Sequence, residues 1–415
     1  MHFIRGSLKV PRGATLVLVA VILVPLLAVL GLAVDLGSAY RQKRIAQIAA
    51  DAGAIAGALE IYRGRTDSLL PSARSESSRN GFTDGVGGIA VNASNPPATG
   101  SYTASSRFVE VSITDTVQTL FARVLGFNVL AVKARAVAGL QAPSSTCMFV
   151  MSETESPALQ ISNGASVDAS GCGITVNSNG QKAIEVKGGA SSLTAASISV
   201  RGGVSTSANG TISPAASTGS PLVPNPLGYL EMPAVPVGCT CTNKEVSSND
   251  TLNPGTYCGG LKIKGGSTKV TLNAGSYFIV GGGVILESNA KITGTGVTII
   301  NTFNSSYAFK PLDFRSGVDV TLSAPTTGSL AGILFFEDPS APSGNDNNIG
   351  SGSDSNFTGT FYFPVNPVTF ATGSGTTITG AVVAKRLTFS TSGSLRITGA
   401  TSGAPYPLKR VSLVE

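Results

Sequence analysis

Uncharged, mostly apolar residues run from Ala14 to Val34, apolar positions continue at helical spacing to Tyr62, and the pattern then breaks into short β-like runs. The first stretch, ATLVLVAVILVPLLAVLGLAV, holds 21 residues without a charge. About 20 such residues, rising 1.5 Å each, cross the hydrocarbon core of a bilayer. The pattern predicts a transmembrane helix over 14–34, kinked at Pro25, behind a cytoplasmic tail at 1–13. A cleaved signal peptide is the alternative. Its apolar region usually runs about 7–15 residues, and no clear Ala-x-Ala site closes this one. Residues 35–62 place Ala39, Ile45, Ile48, Ala49, Ala52, Ile55, Ala56 and Leu59 at helical spacing and predict a stalk. Small residues crowd one region of it: Ala49, Ala50, Gly53, Ala54 and Gly57. They admit close packing on the chain's own downstream region or on a partner's helix.

Residues 63–141 read as a small α+β unit. Phe108 to Ile113 alternates as a half-buried strand, Val129 to Ala138 returns as another, and Gly85 to Tyr102 is a loop. Between the strands, Thr116 to Val124 predicts a short helix with Thr116 as N-cap.

From about residue 145 to 410 a turn-then-strand unit recurs. It is seen at Asn163–Gly164, Gly188–Gly189, Gly266–Ser267, Ser288–Asn289, Ser316–Gly317, Gly375 and Gly393, each leading into a short β run. Gly or Asn supplies a positive φ at the corner, and a β-branched residue follows toward the interior. The corners lie 25, 78, 22, 28, 59 and 18 residues apart, near multiples of one 20–28-residue coil. This predicts a mainly β protein whose body is a right-handed parallel β-helix, with a β-sandwich as the alternative.

The net charge of +6 suggests nucleic acid until it is located. Residues 1–65 hold eight basic and three acidic side chains, while the remaining 350 hold 21 and 20. Basicity therefore flanks the apolar segment, and no stripe suited to phosphates is visible on the body. Arg5, Lys9 and Arg12 before the span are balanced by Arg41, Lys43 and Arg44 after it, so charge alone does not orient it.

The run RGATLVLVAVILVPLLAVLGLAVDLGSAYRQKRIAQIAADAGAIAGAL resembles the N-terminal signature of TadG-like proteins of Tad (Flp) pilus assembly. Val34-Asp35-Leu36-Gly37 and Ala50-Asp51-Ala52-Gly53 match its two motif points. The segment Arg107–Leu140 is similar to the juxtamembrane piece of TadE/TadG-like proteins. The strings PGTYCGGL, AGILFF and GTFYFP resemble C-terminal regions found on some TadG-like chains. The resemblance implies an anchored envelope protein whose partners are other Tad or TadE-like assembly subunits. Two family chemistries are missing. The string nearest a von Willebrand A metal site, Asp168-Ala169-Ser170-Gly171-Cys172, has Cys where the second Ser is required. Pilin processing after Gly13 would need Glu at position 18, which is Leu.

The five cysteines, Cys147, Cys172, Cys239, Cys241 and Cys258, all follow the span. Cys147 and Cys172 lie one coil apart, which suits a disulfide; Cys258 then pairs with Cys239 or Cys241, leaving one thiol over. Disulfides imply an oxidising compartment, so the expected topology in the bacterial inner membrane is N-in, C-out. With His2 the only histidine, a zinc site is incomplete and Ser-His or Cys-His catalysis is unsupported. No cofactor is expected. The best acidic group is Glu337, Asp338, Asp346 and Asp354, in or beside the loop DPSAPSGNDNNIGSGSDSN. It is a candidate ligand loop, without the spacing of a calcium site. The expected function is a non-enzymatic structural component of a Tad-type pilus or secretion system. An adhesin-like protein that binds polysaccharide or a partner surface is the alternative.

Overall fold

A computed structural model of the 415-residue chain describes residues 14–63, 65–141, 146–207, 209–352, 355–371, 373, 375–390, 392–399 and 407–415. The predicted tail at 1–13 lies outside them. The chain divides into two units, residues 1–141 with 410–415, and residues 142–409. It is mainly β, with an N-terminal apolar helix and a large body of parallel strands.

In the first unit a single helix, α1 (Ala14–Tyr62), runs 49 residues with Pro25 inside it. It is long and apolar enough to cross a membrane. Its first half presents Val17, Leu23, Leu27 and Leu32 about half exposed or more, whereas Ala46, Ala49, Ala50, Ala54 and Ala58 in its second half are fully buried. The small residues are used within the chain. A Cβ at Gly53 would lie 2.4 Å from Ser77 Oγ on α2 (Leu69–Arg79), and one at Gly57 would lie 2.9 Å from Val109 Cγ1. The sheet under α1 is antiparallel: β1 (Ala90–Ser94), β2 (Phe108–Gln118), β3 (Val129–Gln141) and the strand Arg410–Leu413.

Two local expectations fail here. No helix forms over Thr116–Val124. β2 continues to Gln118, which pairs with Val129, and only Ala122–Leu125 makes a 3₁₀ turn. The β-branched run Thr114, Thr116 and Val117 prefers a ladder with a ready partner strand to an isolated helical turn. The loop expected over Gly85–Tyr102 likewise contains β1, which pairs Val91 with Ile113.

Among the described residues of the second unit every strand pairing is parallel, and the pairings form three ladders. One ladder joins Lys269–Leu272, Lys291–Thr295 and Asp319–Ser323. A second joins Gly275–Val280, Val297–Thr302 and Ile333–Glu337, and a third joins Val284–Leu286, Asp313–Phe314 and Asn347–Gly350. Corner residues Asn163, Gly164, Gly188, Gly266, Asn289, Gly317 and Gly375 all have positive φ. Each lets the chain turn without the Cβ clash that other residues would meet. Inward positions are Val, Ile, Leu and Phe: Val270, Ile292 and Val320 stack on one ladder, each at most 1% exposed. Aromatic rings continue the core, with Phe335 on Phe361 at 4.8 Å and Phe370 on Phe389 at 5.2 Å.

The stacking order is not the sequence order. The first strands of the body, Thr146–Val150, Leu159–Ser162 and Ser166–Val176, pair with the last ones: Thr376–Ala384, Leu387–Phe389 and Ser394–Thr398. The chain thus enters mid-stack, builds outward to Thr211–Ser213, then crosses to the opposite end and builds back. Residues 214–240 make that crossing. Asn177 holds Val223 through a reciprocal pair of hydrogen bonds, and Asn225 donates to the Tyr362 hydroxyl. Leu227, buried, and Tyr229, Leu230 and Met232, partly buried, cover an outward apolar strip that includes Phe149, Ile300, Phe336 and Val383.

Candidate functional site

Asp35, the first residue after the uncharged run, is 2% exposed and belongs to a hydrogen-bonded site that local sequence does not suggest. Its Oδ1 accepts the Leu120 N–H at 2.8 Å, and its Oδ2 accepts those of Phe121 at 3.0 Å and Ala122 at 2.6 Å. These amides open the 3₁₀ turn Ala122–Leu125 and have no partner in the β2–β3 ladder. A carboxylate that accepts several backbone donors at the start of a helical turn is a strong cap. Asp35 therefore pins the connection between β2 and β3 to α1. Thr119 closes the base of that connection by donating its hydroxyl to the Phe127 carbonyl.

Alongside, Leu27, Ala28, Val29 and Leu32 of α1 and Phe121, Ala122, Val124 and Leu125 line an apolar cleft of about 420 Å³. The Phe121 ring lies flush on Gly31, where a Cβ would sit 2.6 Å from its Cγ. Leu120, Phe121, Val124, Leu125 and Phe127 are each at least half exposed.

The other motif residues divide between packing and surface. Ala50 is fully buried, Ala52 is half-buried, and Asp51 accepts a hydrogen bond from Gln47 at 2.8 Å. Among the described residues nothing lies within 4 Å of the missing Cβ of Gly37.

The acidic residues do not converge. Glu337, fully buried, accepts N–H groups from Val365, Asn366, the Asn366 side chain and the Asn347 side chain at 2.9–3.3 Å. Burial pushes its carboxyl above the ordinary value, while these four donors pull against that shift. Asp338 accepts from Thr302 and Ser340, and the more exposed Asp346 faces Arg386 at 3.3 Å. Asp354 lies outside the described residues. Among the described residues no group of three His, Cys, Asp or Glu side chains is placed to hold a metal. The loop expected here contains the strand Asn347–Gly350, and Glu337 ties it down.

Two disulfides are present. Cys147–Cys172 joins neighbouring parallel strands, and Cys239–Cys258 fastens the end of the crossing segment to the strand Gly255–Ile263. Cys241 is free and half-buried. Of the two pairings open to Cys258, the sulfur of Cys239 takes it, because Cys241 lies on a strand opposite Tyr257 with its side chain against the core.

One helix, long and apolar enough to cross a membrane, thus continues into an Ala/Gly face buried on the chain's own sheet, and Asp35 within it caps the turn between β2 and β3. Residues 13–60 match the family model described as Tad, putative Flp pilus-assembly TadE/G-like. The match covers nearly all of α1 and none of the parallel-strand body. No curated protein and no solved structure matches the chain.

Proposed function

We propose that the chain is a membrane-anchored, non-enzymatic structural component of a Tad-type pilus or secretion system, holding a β-solenoid outside the cytoplasm. The observation that carries this reading is the coincidence of the TadE/G-like segment with one continuous helix. The first half of that helix is apolar and exposed; the second half is built into the chain's own sheet. The N-in, C-out orientation is supported by the two disulfides, which persist in oxidising compartments. The solenoid is supported by three parallel ladders through which the chain returns to hydrogen-bond with itself. Its right-handed sense follows the near-universal handedness of parallel β crossovers. Partners on this reading are the bilayer and other Tad-type assembly subunits. Deleting the gene in its native host is expected to abolish Flp pili seen by electron microscopy, and expression in trans to restore them. Normal pili in the deletion strain would sink the proposal.

A second reading, binding of an extended polysaccharide, is favoured by one exposed row. Thr251, Thr271, Thr293 and Thr321 stand in register on successive parallel strands and all face outward. Parallel strands repeat at about 4.8 Å, so the row offers evenly spaced hydroxyls to a linear hydroxylated polymer. Saturable retention of glycan by the full chain, lost on changing Thr271 and Thr293 to Glu, would support it over a purely structural role.

A further inference from the structure

α1 is not the whole of the membrane contact if the uncharged run sets its depth. We propose that the tip between β2 and β3, residues 119–128, inserts into the bilayer beside α1 as a second, interfacial anchor whose partner is the lipid acyl region. This insertion presupposes that α1 spans the bilayer. The Phe121 ring lies on Gly31, the tip shares an apolar cleft with Leu27, Ala28, Val29 and Leu32, and Val34 is the last residue of the uncharged run. From Val34 back to Leu27 is about 10 Å at 1.5 Å per residue. Side chains flush with that part of the helix share its depth, below the headgroups.

The composition of the tip suits that position. Leu120 (65% exposed), Val124 (84%), Leu125 (76%) and Phe127 (63%) present a nearly continuous apolar surface. An exposed apolar patch of this kind, continuous with a membrane span, is costly in water and stable in lipid. Seven of the tip's backbone N–H groups are paired within the chain, which lowers the cost of placing them in hydrocarbon. The N–H groups of Leu120, Phe121 and Ala122 go to Asp35, those of Val124, Gly126 and Phe127 close the turn, and that of Thr119 reaches the Asn128 carbonyl. Its one charge, Arg123, is exposed and on a long stem that can reach the phosphates. Further along α1, Arg41, Lys43 and Arg44 are also exposed. They lie roughly 10–15 Å beyond Val34 at the same rise, at a level suited to anionic headgroups.

The full chain, reconstituted in phosphatidylcholine/phosphatidylglycerol nanodiscs that carry a photoactivatable diazirine on the acyl chain, would be irradiated and its lipid adducts mapped by mass spectrometry. Adducts are expected on the α1 segment 17–34 and on residues 120–127. In Val124→Asp/Leu125→Asp, adducts on the tip are expected to be lost while those on α1 persist. Adducts on α1 with none on the wild-type tip would overturn the insertion and leave the anchor standing. Adducts on neither would remove the anchor itself. Adducts retained on the doubly acidic tip would show that its apolar surface does not drive the contact, which also overturns the proposal. Circular dichroism of the variant, unchanged because both side chains point away from the sheet's core, separates loss of insertion from loss of fold.

Discussion

Asp35 illustrates how one side chain can decide a local structure. Its carboxylate replaces three hydrogen bonds that the β2–β3 ladder does not supply, at the point where the chain leaves the uncharged run. Asp35→Ala leaves those amides without their charged acceptor. It is expected to weaken the tip by about 2 kcal/mol or more, which is roughly a 30-fold loss of hydrogen-exchange protection at 120–122. Asp35→Asn keeps one acceptor oxygen and should recover part of it. Glu337 acts differently. Its carboxyl is raised by burial, so the native chain binds that proton more readily than the unfolded one. The contribution favours folding below the ordinary carboxylate range and is lost as pH rises toward the native value. Asp168 and Glu287, both lowered, work in the opposite sense and lose their contribution as pH falls. Urea midpoints for the full chain in detergent, compared between wild type and Glu337→Gln across that window, should show the falling slope only in the wild type. The variant is also expected to be less stable by about 2–4 kcal/mol, because glutamine can accept on one oxygen alone and two of the four donors lose their acceptor.

Elements are held together by means that differ between the units. In the first, an alanine- and glycine-rich face of α1 lies directly on α2 and β2, with no room for larger side chains at Gly53 or Gly57. In the second, ladders and stacked aromatic rings carry the packing, and two covalent links join residues 25 and 19 apart in sequence. Alkylation of the denatured chain without reductant is expected to label one thiol, Cys241, and after reduction all five; five labels without reductant would contradict both disulfides and the outward topology. Loop closure over about 25 residues is worth roughly 3 kcal/mol, so reduction should lower the denaturation midpoint of the body. The elements were unequally legible. Phe108 to Ile113 alternates, and a strand stands there. Thr116 to Val124 carries no decisive period, and its fate turned on whether a partner strand lay opposite.

Across the parallel-strand body, the crossing segment and the junction of first with last strands convert a linear stack into a closed circuit. A stack read out in sequence order frays from its two chain ends, because each layer touches only its neighbours. Here the strands at the two ends of the body's sequence, Thr146–Val150 and Ser394–Thr398, both lie inside the stack, and residues 214–240 run between its extremes. Val382 pairs with Met148 and Leu387 with Leu159 across this junction, all four fully buried. The body should therefore unfold in one transition, with 146–150 and 376–384 exchanging amide hydrogens at the same rate. Early, separate exchange of 146–150 in denaturant would show that the junction does not couple them.

The long apolar helix, the Ala/Gly face and the β-rich, turn-punctuated body were all determined by the sequence alone. Each rests on a local property: an uncharged run of sufficient length, a 3.6-residue period, or a residue tolerant of positive φ. The TadE/G-like segment was legible for the same reason, since its motif lies within one helix. Tertiary structure alone decided what Asp35 does, because its three partners lie 85 to 87 residues away. It also decided which cysteine Cys258 takes, that Glu337 is buried rather than offered to a ligand, and that the body begins in its own middle. Those outcomes depend on which distant segments meet, and parallel strands of similar Val/Ile/Thr pattern leave several stacking orders equally compatible with the local signal. The choice among them is made by complementarity of buried side chains at each junction.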